Sequence, residues 1–143
     1  MTREEFLVYM DHFNNKRFDE IVKYFSPNAR FQYHTNFTNA PQEVRVRYGP
    51  DGFVKHYKEL SARIREQLEL GLLLSSDDGK NLFVEIYTEF HALEDTVFTA
   101  GPMKKGDVFC CTNFILYDLD EDGKFTEVRI AHWRVEDPAK ARL

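Results

Sequence analysis

Several features that would assign a protein quickly are scarce in this sequence. There are two cysteines in 143 residues, Cys110 and Cys111, and they are adjacent. Neighbouring residues in a strand point to opposite faces, so the pair suits neither a structural disulfide nor a zinc site. The longest aliphatic stretch is Leu72-Leu73-Leu74 with Leu70 before it, far below a bilayer span. The opening Met-Thr-Arg-Glu-Glu is charged where a signal peptide has an apolar core, so a soluble, cytoplasmic protein is expected. Asn36-Phe37-Thr38 matches a glycosylation sequon, which has no meaning without secretion. Positive charge is also short. Lys and Arg number 19 against 24 Asp and Glu, a formal charge of −5, whereas nucleic-acid affinity rests on clustered cations. Arg45 and Arg47 come nearest to a basic patch, and two arginines are not a footprint. No Gly-rich phosphate loop, Cys-x-x-Cys or His-Glu-x-x-His occurs, so no motif implies a cofactor or metal. Asp118 to Gly123 imitates the start of a calcium loop, but Arg129 stands where that loop needs a bidentate Glu.

Aromatic residues, in contrast, are abundant: 13 Phe, 7 Tyr and 1 Trp, or 15%. They suit a generous core or an aromatic-walled pocket, and the length suits one domain over 1–143. Thr2 followed by Glu5 reads as a capping box opening a helix, with Phe6, Tyr9, Met10 and Phe13 at helical spacing. Asn14-Asn15 stop it. A second short helix carries Phe18, Ile21, Val22 and Phe25 until Pro27. Ala29 to His34 alternates as a strand, with Phe31 and Tyr33 on one side. Asn36 to Pro50 reads as a loop or lid, and from Asp51 a helix buries Phe53, Tyr57, Leu60 and Ile64. Beyond Gln67 the chain is strand-like. Leu68, Leu70, Leu72 and Leu74 alternate, Ser75 to Gly79 supplies a turn, and Leu82 to Leu93 forms the return strand. Gly101 to Gly106 makes a connection, and Val108 to Leu119 and Phe125 to Val135 form a last hairpin. Helices followed by an antiparallel meander predict an α+β fold, with the helices closing the concave face of a curved sheet around a cone-shaped cavity.

The segment from Tyr9 to Phe25, followed by Ser-Pro-Asn-Ala and a strand, resembles the opening of nuclear-transport-factor-2-like (NTF2-like) proteins. Those include the ketosteroid isomerases and the SnoaL-like polyketide cyclases. Gly49-Pro50-Asp51-Gly52-Phe53 with His56-Tyr57 looks like the SnoaL-like helix start. Asp122-Gly123-Lys124 through His132-Trp133 resembles the closing hairpin. The resemblance implies a cone-shaped α+β barrel and a cofactor-independent isomerase, cyclase or dehydratase of secondary metabolism. Such an enzyme would act on a small apolar oxygenated molecule of the polyketide or terpenoid kind. It also implies a homodimer through the outer sheet face, while charge and hydropathy point to no membrane or nucleic-acid partner. Residue by residue, the isomerase tyrosine falls on Tyr9. Its proton-shuttling aspartate falls on Tyr33 and its oxyanion aspartate on Ile115, so both carboxylates are missing. Arg134 stands where the cyclases often carry an acid after His-Trp. One fold hosts many activities, and a non-catalytic ligand- or protein-binding module is the alternative.

The same alignment turns Val128, Ile130 and His132, Asn113, Ile115 and Tyr117, and Val84, Ile86, Thr88, Phe90 and Ala92 inward. Glu85, Tyr87, Glu89, His91, Arg129, Ala131 and Trp133 then face out, and a one-residue slip would exchange the sets. His132 is the first candidate acid/base, since imidazole titrates near neutrality, or else a satisfied core histidine. Tyr33 and His34, adjacent and of opposite parity, are the other catalytic candidates, His34 as a base or a surface residue. Tyr9, Phe13, Tyr57, Asn113, Tyr117 and Ile130 are the candidate substrate-binding residues, their polar members able to polarise an oxygen. His56 borders the buried stripe of its helix, a packing position. Glu89 and His91 form an acid/base pair or, as favoured here, part of a polar outer face with Arg129. Trp133, Val135, Tyr87 and Leu93 would supply the apolar contacts between copies. No paired carboxylate is evident inside the cavity.

Overall fold

A computed structural model describes residues 1–35, 45–99 and 101–143. The Thr2 hydroxyl accepts from the Glu5 backbone N–H and the Glu5 carboxylate accepts from that of Thr2, so the expected capping box opens helix α1, Arg3–Asn14. Phe6, Tyr9, Met10 and Phe13 are its buried stripe. Lys16, at φ +56°, turns the chain into α2, Phe18–Ile21, which runs on as one 3₁₀ turn, Val22–Tyr24. Phe25 does not extend that helix. It begins strand β1, Phe25–Thr35, because Pro27 biases the preceding Ser26 towards extended backbone and cannot continue the helical hydrogen bonds.

Strand β2, Arg45–Tyr48, leads directly into α3, Gly49–Ser61, so the expected loop ends earlier than Pro50. Its first nine residues, with the sequon, lie outside the described residues. Gly49 takes φ +67° and Pro50 occupies the first helical turn, where a missing N–H costs nothing. Phe53, Tyr57 and Leu60 face inward as expected. Ile64 instead starts β3, Ile64–Ser75, after the helix ends at Ser61. The remaining strands are β4 (Asn81–Ala92), β5 (Thr96–Phe98), β6 (Gly101–Met103), β7 (Val108–Leu119) and β8 (Phe125–Glu136). The connection expected at Gly101 to Gly106 thus contributes half of a small β5–β6 hairpin.

The main sheet has the order β2-β1-β8-β7-β4-β3 and does not close on itself. All its pairings are antiparallel except β1 with β8, which is parallel, with Tyr33 opposite Ile130. The meander is therefore antiparallel only from β3 onward. Two irregularities matter. A bulge between Leu70 and Leu73 ends the leucine alternation on β3, leaving Leu72 and Leu74 exposed. On β8 a register shift lets Trp133 stand out of the ladder.

Helices α1 and α3 lie over the concave face, where Phe6, Phe31 and Phe125 are fully buried. Each such ring is worth about 2–3 kcal/mol relative to exposure. The architecture is the expected curved α+β cone. Among the described residues no helix is long and apolar enough to cross a membrane.

Candidate active site

Strand parity brings the inward side chains of β1, β3, β4, β7 and β8 around a cavity of about 350 Å³, roofed by α1 and α3. Its walls are largely aromatic and aliphatic: Phe13, Phe31 and Phe53 on one side, Ile86, Phe90 and Ile115 on the other. All the expected substrate-binding residues line it: Tyr9, Phe13, Tyr57, Asn113, Tyr117 and Ile130. So do Tyr33 and His132. His34 does not. Tyr33 faces in, so the next residue along the extended chain points to the opposite side of the sheet.

The cavity also contains a carboxyl group that sequence reasoning passed over. Glu66 is only 8% exposed, and its Oε2 is buried with no hydrogen-bond partner. Burial raises its pKa to about 7, and the charge of Lys16 offsets only part of that rise. A carboxyl with that pKa accepts and returns a proton near neutrality. The signal for it was parity: Ile64, Glu66 and Leu68 share one face of β3, and the strand begins earlier than Gln67. Four hydrogen bonds fix this stretch to the end of α1. The Asn14 side chain accepts from Leu68 N at 2.8 Å and donates to Leu68 O at 2.9 Å. Lys16 Nζ donates to the backbone oxygen of Glu66 at 2.9 Å, and Gln67 Nε2 donates to Asn14 O at 3.1 Å.

His132 is part of a buried polar chain. Its Nδ1 lies 2.6 Å from Asn113 Oδ1, and Asn113 Nδ2 donates to Thr88 Oγ1 at 2.8 Å. The amide orientation makes Nδ1 the protonated ring nitrogen and leaves Nε2 the acceptor. Burial, and next the charge of Arg45, lower the pKa of His132 to about 4. It is therefore neutral at physiological pH. Its geometry is that of a hydrogen-bonding wall, and the titration near neutrality expected of it is found at Glu66.

The phenols complete the interior. The Tyr33 hydroxyl is buried beside that of Tyr57, with no close hydrogen bond, and its ring meets His56 at 5.3 Å. Burial pushes Tyr9, Tyr33, Tyr57 and Tyr117 well above the ordinary phenol pKa, so all four are neutral donors. Rings of Tyr9 and Tyr117 pack edge to face at 6.4 Å, with Phe125 against both.

On the outer face Glu89 is fully buried, though not at a cavity. Its carboxylate accepts from Tyr87 OH, meets His91 Nε2 at 2.8 Å and takes the backbone N–H groups of Arg142 and Leu143. Burial pushes its pKa up, but those hydrogen bonds outweigh it and hold the pKa below the usual carboxylate value. The expected partner Arg129 pairs instead with Asp118, because β8 lies beside β7 and not β4. That ion pair, with Asp120 capping the turn through Asp122 N and Lys124 N, accounts for the acidic run at the last hairpin.

No protein-family model matches this sequence, and no curated protein matches it. Solved structures do. SalBIII, an epoxide hydrolase/cyclase-like enzyme in pyran ring formation of the polyether salinomycin, is 20% identical. It superposes with a TM-score of 0.68 over 92% of this chain and 89% of its own. A SnoaL-like polyketide cyclase from Agrobacterium tumefaciens is 18% identical, with a TM-score of 0.65 over 92% and 87%. An NTF2-like protein of unknown function from Burkholderia pseudomallei is 12% identical, with a TM-score of 0.68 over 98% and 95%. At such identities the likeness is one of architecture. The chain has the cone fold shared by NTF2-like proteins and SnoaL-like cyclases.

Proposed function

We propose that this chain is an enzyme that moves protons within a small, apolar, oxygenated substrate, as an isomerase, cyclase or dehydratase. The observation that carries this reading is Glu66: a buried carboxyl with an unpartnered oxygen and a pKa near 7, facing the same cavity as the buried Tyr33 hydroxyl. Ionised Glu66 takes a proton from the carbon beside a substrate carbonyl. A neutral phenol, Tyr33 or Tyr9, donates a hydrogen bond to the oxygen as charge develops there. Protonated Glu66 then returns the proton at another carbon or to a leaving hydroxyl. The cycle balances on the carboxyl alone and needs no redox partner. His132, neutral and fixed by Asn113, orients the substrate from β8.

Polyketide- and terpenoid-type ketones suit the aromatic walls, and neighbours of this fold include cyclase and epoxide hydrolase-like enzymes. The test is deuterium uptake. A cavity-sized cyclic ketone such as 2-decalone, incubated in D₂O, is expected to exchange its α-protons faster with the protein than in buffer. E66Q is expected to abolish the excess. Binding without exchange would leave a non-catalytic ligand carrier.

A homodimer through the outer sheet face belongs to the same reading. Trp133 is 55% exposed yet stacked on Phe114 at 5.2 Å, beside exposed Val135. Replacing Trp133 by Lys is expected to lower the mass seen in sedimentation equilibrium from two chains to one, and an unchanged monomer would remove the dimer.

A further inference from the structure

Three arginines stand at the mouth of the cavity. Arg45 and Arg47 come from β2, and Arg63 from the turn between α3 and β3. Arg45 and Arg63 are exposed and Arg47 half-buried, in contrast to the closed aromatic interior. Each guanidinium is held by one neutral oxygen: Arg45 Nη2 donates to Thr99 Oγ1 at 3.2 Å, Arg47 Nη1 to Val46 O at 3.1 Å and Arg63 Nη1 to Thr96 Oγ1 at 3.3 Å. None makes an ion pair with a carboxylate among the described residues. Arg17, Arg30, Arg129, Arg134 and Arg142 all do. In a chain of net charge −5, three guanidiniums around one opening, without an ion pair among the described residues, are a local reversal of sign.

We infer that the substrate is an amphiphile with an anionic head, a carboxylate or phosphate, held at the mouth by Arg45, Arg47 and Arg63 while its apolar body fills the cavity. Guanidinium forks match the oxygen spacing of both heads, and charge-assisted hydrogen bonds are the strong ones. The three guanidiniums reach His56, whose pKa burial lowers to about 4, with Arg47, Arg45 and Arg63 adding to the fall against the opposing charge of Glu59. Orientation follows. A head anchored at the rim puts the tail against Glu66, so the reacting carbon lies remote from the anion and the two negative groups stay apart.

The inference rests on the cavity being the substrate site, and not on the chemistry of Glu66. Titration calorimetry with decanoate, decyl phosphate, decanol and decylammonium tests it. Decanoate or decyl phosphate is expected to bind about tenfold or more tightly than decanol, with the margin shrinking at high ionic strength. The stronger of the two anions names the head group. R45Q/R47Q/R63Q is expected to lose the margin while keeping the affinity for decanol, which shows that the variant is folded. Equal binding of alcohol and anions overturns the inference, as does a preference that survives the triple substitution, tighter binding of decylammonium, or no binding by any of the four. E66Q is expected to keep the anion preference while losing deuterium exchange, so the two readings fail separately.

Discussion

Lys16 Nζ lies 2.9 Å from the backbone carbonyl oxygen of Glu66, and not on its carboxylate. The ammonium also sits 4.6 Å from the centre of the Phe13 ring, half-buried, and burial lowers its own pKa. Its charge therefore moderates the carboxyl of Glu66 from a distance while its hydrogen bond holds the strand. A direct ion pair would have pulled Glu66 down into the usual carboxylate range and removed its use as an acid and base near neutrality.

This arrangement sets the sign of a pH effect on stability. The pKa of Glu66 rises from 4.5 to about 7 on folding. The folded chain then holds its proton more tightly than the unfolded one. The associated stability is complete below the unfolded value and is lost as pH climbs through about 7. Two to three pKa units correspond to about 3 kcal/mol across that window. Urea unfolding of the wild type is expected to show this decline, and E66Q to flatten it and to exceed the wild type above neutrality. A wild-type curve as flat as that of E66Q would mean that the carboxyl is ordinary.

His132 works in the opposite direction. Its pKa falls from 6.5 to about 4, so the unfolded chain takes up the proton first as the medium is acidified. Its contribution is present above 6.5 and declines as pH drops toward 4. Its ring resonances are expected to stay those of the neutral, Nδ1-protonated tautomer on titration from pH 8 to about 5, across the range in which wild-type turnover inflects with Glu66. Asn113→Ala strands the buried Nδ1–H and is expected to cost about 1–3 kcal/mol. An imidazole titrating at its ordinary value would return the acid/base role to His132.

Tyr33 separates stability from function. Its hydroxyl is buried, with the Tyr57 hydroxyl as its polar neighbour and no close hydrogen bond, so it adds little to the stability of the empty protein. Tyr33→Phe keeps the ring against His56 and is expected to be nearly neutral in thermal melts. Turnover is expected to fall by about 10²–10³, the usual loss for one donor to a developing oxyanion. A variant with lower stability and unchanged turnover would make the hydroxyl structural.

Much of the fold was legible because its signals are local. The Thr2–Glu5 capping box, the Phe6–Phe13 stripe and the Gly49-Pro50 helix start each act within a turn or two of chain. Alternation on β4, β7 and β8 placed Ile86, Asn113 and His132 inward once one register was assumed. The failures are non-local. The parallel partnership of β1 with β8 joins residues about a hundred positions apart, and the bulge after Leu70 interrupts a run whose leucines look regular. Glu66 was missed because a carboxylate normally marks the solvent side of a strand. Only the neighbouring apolar residues of its face, Ile64 and Leu68, show that it is inside. Its elevated pKa depends on the helices that cover it.

Asn14 shows how the position of Glu66 is held. β3 is an edge strand, with backbone groups on its outer side that no further strand pairs. The Asn14 amide, at the last residue of α1, satisfies the N–H and the C=O of Leu68 together, as a neighbouring strand would. The same segment receives Lys16 at Glu66 O and returns Gln67 to Asn14 O. Asn14→Ala leaves two half-buried backbone groups to find water, which is expected to cost about 2 kcal/mol. The larger consequence is for the carboxyl. Held to α1 only through Lys16 and Gln67, the edge loosens and Glu66 is partly rehydrated, so its pKa moves toward the ordinary value. The inflection in the pH profile of turnover is expected to move to lower pH in Asn14→Ala, while Asn15→Ala, which loses only the bonds to Asp11 on the exposed side of α1, leaves it in place. Equal profiles for the two variants would show that the edge holds Glu66 without Asn14.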